Sequence, residues 1–247
     1  MTVAALEILR LNKRFGGLPA TRDTSLAVMP GERRLVIGPN GAGKTTLFNL
    51  VTGDLKPDSG SVRLFGTEIL RLPTRRRVHL GLARTYQILT LFPAETFAHN
   101  VVLALLGLRA TRWNPWSVLA ANRALEEAAC EALDRVGLAD RASRIVAEAS
   151  YGERRRLELA MALAQQPRVL LLDEPLAGLS QEERQTVRGL LEQIPREVTI
   201  VMIEHDMDTA LAFAERISVL HHGQVIVEGT RAEVVADPRT REVYLGE

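Results

Sequence analysis

The sequence has a single cysteine, Cys130, which excludes an internal disulfide, and no neighbouring His or Cys stands at the spacing a zinc site needs. A reduced, cytosolic setting suits such a chain. It also lacks any run of about eighteen uninterrupted apolar residues. Its opening residues, Met1 to Phe15, carry Glu7, Arg10, Lys13 and Arg14 where a signal peptide needs an apolar stretch. A role at a membrane would therefore run through a partner. An excess of one charge is missing too: 31 Lys and Arg stand against 30 Asp and Glu, and the formal net charge of +1 gives no general pull toward nucleic acid. Lysine is scarce, with Lys13, Lys44 and Lys56 the only three, so a lysine inside a motif carries weight. There is no internal repeat and no low-complexity tract.

What is present is the balance of an ordinary globular protein, 46% hydrophobic and 25% charged over 247 residues, with length for one α/β core with or without a smaller lobe. Short runs of Val, Ile and Leu recur with helical patterns between them, as in an α/β fold with a buried, mainly parallel sheet. Arg34 to Ile37, Val169 to Leu172 and Val198 to Ile203 are its clearest strands. Ser61 to Phe65 lies between the turn Pro57-Asp58-Ser59-Gly60 and Gly66 and alternates instead, which predicts a half-exposed strand in a small N-terminal antiparallel β subdomain. Ile217 to Leu220 and Gln224 to Val227, joined at His222-Gly223, predict a hairpin, after which Thr230 and Glu233 open a short helix as a capping box. From about Glu95 to Gln166 helical signals replace strand signals, broken at Trp113-Asn114-Pro115-Trp116 and at Gly137. The expected organisation is a single domain over residues 1–247, with a core of roughly 1–94 and 167–247 and a helical subdomain of roughly 95–166.

Gly38-Pro39-Asn40-Gly41-Ala42-Gly43-Lys44-Thr45 follows a strand and precedes the helical run Thr46 to Val51, which Gly53 can end. Pattern and setting match a P-loop. The glycines let backbone N–H groups turn inward around a phosphate, and the helix start, with Thr46, adds its partial positive charge. Lys44 is expected to reach the β- and γ-phosphates, and the Thr45 hydroxyl to bind Mg²⁺. A Gly-rich strand-to-helix turn without a ligand is the bland alternative. Downstream, the apolar run Val169 to Leu172 ends in Asp173-Glu174-Pro175, at the carboxyl edge where parallel sheets bind ligands. Asp173 is a candidate Mg²⁺ partner and Glu174 a candidate general base. Alone, such a pair reads equally well as a solvated strand end.

These two motifs, with Gln87 and Ser150-Tyr151-Gly152-Glu153 between them and His205 beyond, resemble the ATP-binding cassette (ABC) ATPases over essentially the whole chain. The resemblance implies an ATP-hydrolysing subunit with a P-loop core and an inserted helical subdomain, with ATP and Mg²⁺ as cofactors. It implies that Phe15 stacks on adenine, although a core phenylalanine at a strand end is the alternative. It implies that Gln87 touches Mg²⁺ or the lytic water and that His205 contacts the γ-phosphate. The family's signature is usually Leu-Ser-Gly-Gly-Gln; here Ala149-Ser150-Tyr151-Gly152-Glu153 departs at three of five positions. Ser150 with Glu153 still reads as a capping box, and the resemblance adds that Ser150, Gly152 and Glu153 face the γ-phosphate on a partner subunit. Ser180 stands where the family usually has aspartate, which puts coupling between two sites in doubt. His221-His222 reads as an exposed turn, since no further ligand stands at metal spacing.

Phe15-Gly16-Gly17-Leu18, Arg84-Thr85-Tyr86-Gln87, Leu91-Phe92-Pro93 and Tyr244-Leu245-Gly246-Glu247 are similar to the branched-chain amino-acid transporter ATPases, and the spacing from Trp113 to Cys130 to the longer of their two subunits. The implied partners are a second, identical or homologous ATPase subunit, membrane permeases and a solute-binding protein, with no nucleic acid, and the implied place is the cytoplasmic side of the membrane as a peripheral subunit. Urea or short-chain amide uptake, a non-transport ABC ATPase and a regulatory nucleotide-binding scaffold are the alternatives.

Overall fold

The computed structural model describes residues 3–87, 89–108, 115–204 and 213–245. In chain order its elements begin with β1 (Leu6–Phe15), β2 (Leu18–Val28), β3 (Arg33–Ile37), α1 (Lys44–Thr52), β4 (Ser59–Leu64), β5 (Thr67–Glu68), α2 (Thr74–His79) and β6 (Leu82–Thr85). Helices α3 (Phe97–Leu108), α4 (Pro115–Asp134) and α5 (Tyr151–Ala164) follow, then β7 (Val169–Asp173), α6 (Gln181–Glu192) and β8 (Thr199–Ile203). The chain closes with β9 (Arg216–His221), β10 (Gln224–Gly229), α7 (Arg231–Ala236) and α8 (Pro238–Leu245). It divides into two compact units: Met1–Arg84 with Arg168–Glu174 and Pro195–Glu247, and Thr85–Pro167 with Pro175–Ile194.

The first unit holds a six-stranded sheet of order β10-β9-β3-β8-β7-β6. β3 runs parallel to both β8 and β9, β7 parallel to β8, and β10 returns antiparallel to β9 through the expected hairpin. Every residue of β3, β7 and β8 is buried, the cause of their near-continuous apolar character. Arg33 and Arg34 are exceptions beside Thr199 and Asp173, and both arginines are satisfied. Arg34 pairs with Glu32 at 2.6 Å and with Glu228, and donates to Ser218 Oγ at 2.7 Å; Arg33 donates to the carbonyls of Val198 and Pro195. A buried guanidinium persists only with such partners.

A second, antiparallel sheet, β2-β1-β4-β5, is the small β subdomain expected near the N-terminus, with β4 where the alternating run lies. Its inward residues Leu6, Ile8, Leu11, Val62 and Leu64 join Leu47, Phe48, Leu50 and Val51 of α1 and Val169, Leu171 and Val201 in one core. α1 is thereby held rigidly at its far end: Gly53 caps it in a left-handed turn, and buried Arg77 donates to the Leu50 and Val51 carbonyls at 2.9 and 2.6 Å.

In the second unit α3, α4 and α5 pack on one another. They bury Phe97 and Val101, Leu125, Ala129 and Leu133, and Leu157 and Ala160, at the four- and three-residue spacings of helix faces. Trp113 and Asn114 lie outside the described residues.

Candidate nucleotide-binding site

β3 ends at Ile37, and Gly38-Pro39-Asn40-Gly41-Ala42-Gly43 turns the chain into α1. Only glycine serves at Gly43, where φ is 101° and a Cβ would stand 2.2 Å from the Ala20 carbonyl oxygen. The start of α1 is unlike those of α5, α6 and α7. Those three are closed by capping boxes, Ser150 with Glu153, Ser180 with Glu183 and Thr230 with Glu233. α1 has no side-chain cap and no acid in its first turn, so its amides and the positive end of its dipole suit an anion supplied from outside the chain. Lys44 is buried at that start, with its ammonium donating to the Gly38 and Pro39 carbonyls at 2.7 and 3.1 Å. Burial lowers its pKa from the ordinary lysine range, and the Glu174 and Asp173 carboxylates oppose that shift. Thr45 and Thr46 follow, half-buried, on the first turn.

The sheet brings the acids to this edge. β3 lies between β8 and β9, where the strand order reverses, and open α/β sheets bind ligands beyond the carboxyl ends at that point. Asp173 pairs across β7 and β8 with Ile203, and its fully buried carboxylate accepts from Arg84 Nη2 at 2.8 Å. Arg84 also donates to Asn49 Oδ1 at 2.6 Å and lies 5.6 Å from the Phe48 ring centre. Glu174 donates its N–H to the Ile203 carbonyl at 2.9 Å and has φ of 50°. A left-handed backbone at a residue other than glycine costs about 1–3 kcal/mol and gathers at functional positions. Phe15, at the end of β1, is half exposed with the Lys13 ammonium 5.8 Å from its ring centre, so it is no core side chain.

The remaining candidates belong to the second unit. Ser150 caps α5: its Oγ accepts from the Glu153 N–H at 3.1 Å, and Glu153 Oε2 accepts from the Ser150 N–H at 2.8 Å. Gly152 is buried, and a Cβ there would come within 2.2 Å of Glu183 Oε1. The Gln87 carbonyl accepts from Arg155 of α5 at 3.0 Å; the same guanidinium donates to the Tyr86 carbonyl at 2.7 Å and pairs with Glu158 at 3.0 Å. Arg84 and Arg155 are not among the site residues expected from the sequence. The signal for them is an arginine inside a buried strand pattern and an Arg/Glu pair three residues apart on a buried helix face. His205 lies outside the described residues.

Ser180 caps α6 in the same way as Ser150 caps α5, its N–H bonded to Glu183 at 3.0 Å. Aspartate caps helices equally well, so the residue change at this position preserves the cap. Ser180→Ala is expected to lower stability by about 1 kcal/mol and Ser180→Asp by only a few tenths. Thermal melts of the two variants check this, and an unchanged Ser180→Ala melt would show that the cap contributes nothing.

Among the described residues no group of three or more His, Cys, Asp or Glu is placed to hold a metal, and no helix is long and apolar enough to cross a membrane.

A glycine loop between a buried parallel strand and a helix, a lysine closing it and two acids at the end of β7 define a P-loop nucleotide-binding protein. The chain belongs to the ABC transporter family, whose model matches residues 21–177. It is an ATP-binding cassette and an ATPase. It is 36% identical over 258 aligned residues to the high-affinity branched-chain amino acid transport ATP-binding protein BraF of Pseudomonas aeruginosa, and equally to LivG, of the same description, from Escherichia coli, with 100% of both chains covered in each case. A nucleotide-free ATP-binding cassette from an ABC transporter superposes with a TM-score of 0.87 at 29% identity and full coverage of both chains. A dimeric post-hydrolysis cassette bound to ADP and Pi gives 0.78 at 25% identity, covering 91% of this chain and 98% of that one. The α/β fold with a mainly parallel sheet and the family expected from the sequence are both borne out.

Proposed function

We propose that this ATPase drives import of branched-chain or other hydrophobic amino acids through separate permeases. The carrying observation is the match along the full length of BraF and LivG, which are named for that transport. In this reading the cassette is a single domain with its helical subdomain inserted, sits peripherally on the cytoplasmic side of the membrane, and pairs with a second cassette. A solute-binding protein would deliver the cargo. Uptake of labelled leucine by cells with and without the chain tests the cargo; leucine uptake unchanged by the loss, with urea or amide uptake abolished, would replace it.

Phe15 stacks on the adenine, and the amides of Gly38 to Thr46 cradle the phosphates. Lys44 turns its ammonium from the loop carbonyls to the β- and γ-phosphates. Thr45 and Asp173 would hold Mg²⁺, a cation that takes one or two protein ligands plus the nucleotide's phosphates rather than a cage of carboxylates, and Gln87 would approach it or the lytic water. That ion, when bound, neutralises charge developing on the phosphates. Glu174 accepts the proton of the attacking water, and His205 orients that water. Ser150, Gly152 and Glu153 at the start of α5 receive the γ-phosphate of the ATP held by the partner cassette.

Lys44→Ala is expected to weaken ATP binding about 10–100-fold, the range for hydrogen bonds to charged groups. Calorimetry measures it, and an affinity within about twofold of the parent would remove Lys44 from the site.

A further inference from the structure

A carboxylate is an unfavourable neighbour for a phosphate, yet Glu153 stands in the first turn of the helix that, in the reading above, receives the partner's γ-phosphate. The structure supplies two cations against it. Arg141 Nε lies 3.2 Å and Arg144 Nη1 3.4 Å from Glu153 Oε1, while Glu153 Oε2 is engaged in the capping box. Arg144 is fastened further by donating to the Glu148 carbonyl at 2.6 Å. Its segment is held in place by the Phe97 and Ala98 N–H groups at the start of α3, which donate to the Arg144 and Ala142 carbonyls.

Other acids approach the same guanidiniums, Asp140 near Arg141 at 3.6 Å and Glu148 near Arg144 at 3.8 Å. Exposure decides between them. Asp140 and Glu148 side chains are 72% and 64% exposed, so water and salt screen them, whereas Glu153 is 13% exposed and its charge is felt at close range.

We infer that Arg141 and Arg144 are positioning residues that cancel the charge of Glu153, so that a glutamate can occupy a helix start that, in the proposed function, meets the partner's phosphate. The carboxylate keeps its capping geometry, and the two guanidiniums offset its charge toward an incoming anion. A glutamine at the same position would cap the helix and need no such clasp. The inference rests on the proposed role of the α5 start, and its test separates the two.

The assay is ATP-dependent association of the full chain carrying Glu174→Gln, alone and with the other cassette of its transporter, followed by sedimentation. Arg141→Gln with Arg144→Gln keeps polar side chains of similar reach and is expected to weaken that association about tenfold at low salt. Two further results are expected because the cause is charge. Adding Glu153→Gln to the double variant restores association to within about twofold of the parent, and raising the salt concentration restores it in part without that change. A helix start that had merely lost its packing would answer to neither. Thermal melts identify a variant that fails to fold; Arg144→Gln alone then serves in its place, with a smaller weakening that Glu153→Gln again corrects, while Arg144→Lys, which keeps the charge, is expected to associate as the parent does. Association that is unchanged by loss of both arginines overturns the inference, as does a loss that Glu153→Gln leaves uncorrected. Ser150→Arg in the same background is expected to abolish association; if it does not, the placement of the partner's phosphate at α5 falls, and this inference with it.

Discussion

Glu174→Gln is expected to bind Mg-ATP with close to the parent affinity, to hydrolyse it about 10²–10⁴-fold more slowly, and to accumulate as an ATP-bound dimer. Glutamine matches the shape of glutamate and keeps the Glu174 N–H bond to Ile203, so the left-handed turn at φ 50° survives. The ability to accept a proton from water is lost. That interaction belongs to the transition state, so turnover falls while ground-state binding does not. The left-handed backbone at Glu174, in a buried residue, agrees with the proposed role, since such conformations gather at functional positions. Phosphate release and size-exclusion chromatography, with and without a second cassette, read the two consequences. Hydrolysis at the parent rate would remove Glu174 as the base, and slow hydrolysis with no dimer in either mixture would keep the base and reject the paired arrangement.

The second large effect concerns folding. Arg84→Met is expected to destabilise the nucleotide-free protein by about 3–5 kcal/mol, because it strips a directly bonded cation from a carboxylate with no exposure. The Arg84 side chain is itself 4% exposed, and its 2.8 Å pair with Asp173 is joined by the bond to Asn49 and the contact over Phe48. For a chain of this size the loss corresponds to a fall in melting temperature of about 10 °C. Asp173→Asn in the same chain removes the carboxylate charge that has lost its guanidinium and is expected to recover a good part of the stability, since the two residues couple directly. A shift of less than about 2 °C for Arg84→Met, or no recovery in the double variant, would show that the pair is not what holds Asp173.

The two families of site residues were legible in the sequence to different degrees. Gly38 to Thr45, Asp173 and Glu174 could be named because each follows the apolar run of a buried parallel strand, Leu35 to Ile37 or Val169 to Leu172, and a helix with a glycine start announces itself locally. Phe15 could not be decided between core and surface, because a lone aromatic at a strand end fits both; its half exposure comes from the antiparallel sheet that presents it. Glu153 was readable as a cap, since Ser150 lies three residues before it. Its arginine partners were not, because Arg141 and Arg144 reach it from a preceding loop whose path is set by backbone bonds to α3.

Local chemistry therefore determined the P-loop, the strand ends, the helix caps and the family, since each depends on residues a few positions apart whose spacing is the geometry. Only the tertiary structure decided which strands lie side by side, that Arg84 answers Asp173 across 89 residues of chain, and that Arg155 holds the Gln87 segment. A buried charge must find an opposite charge or a carbonyl wherever folding brings one within about 3 Å, and sequence separation places no limit on where that is.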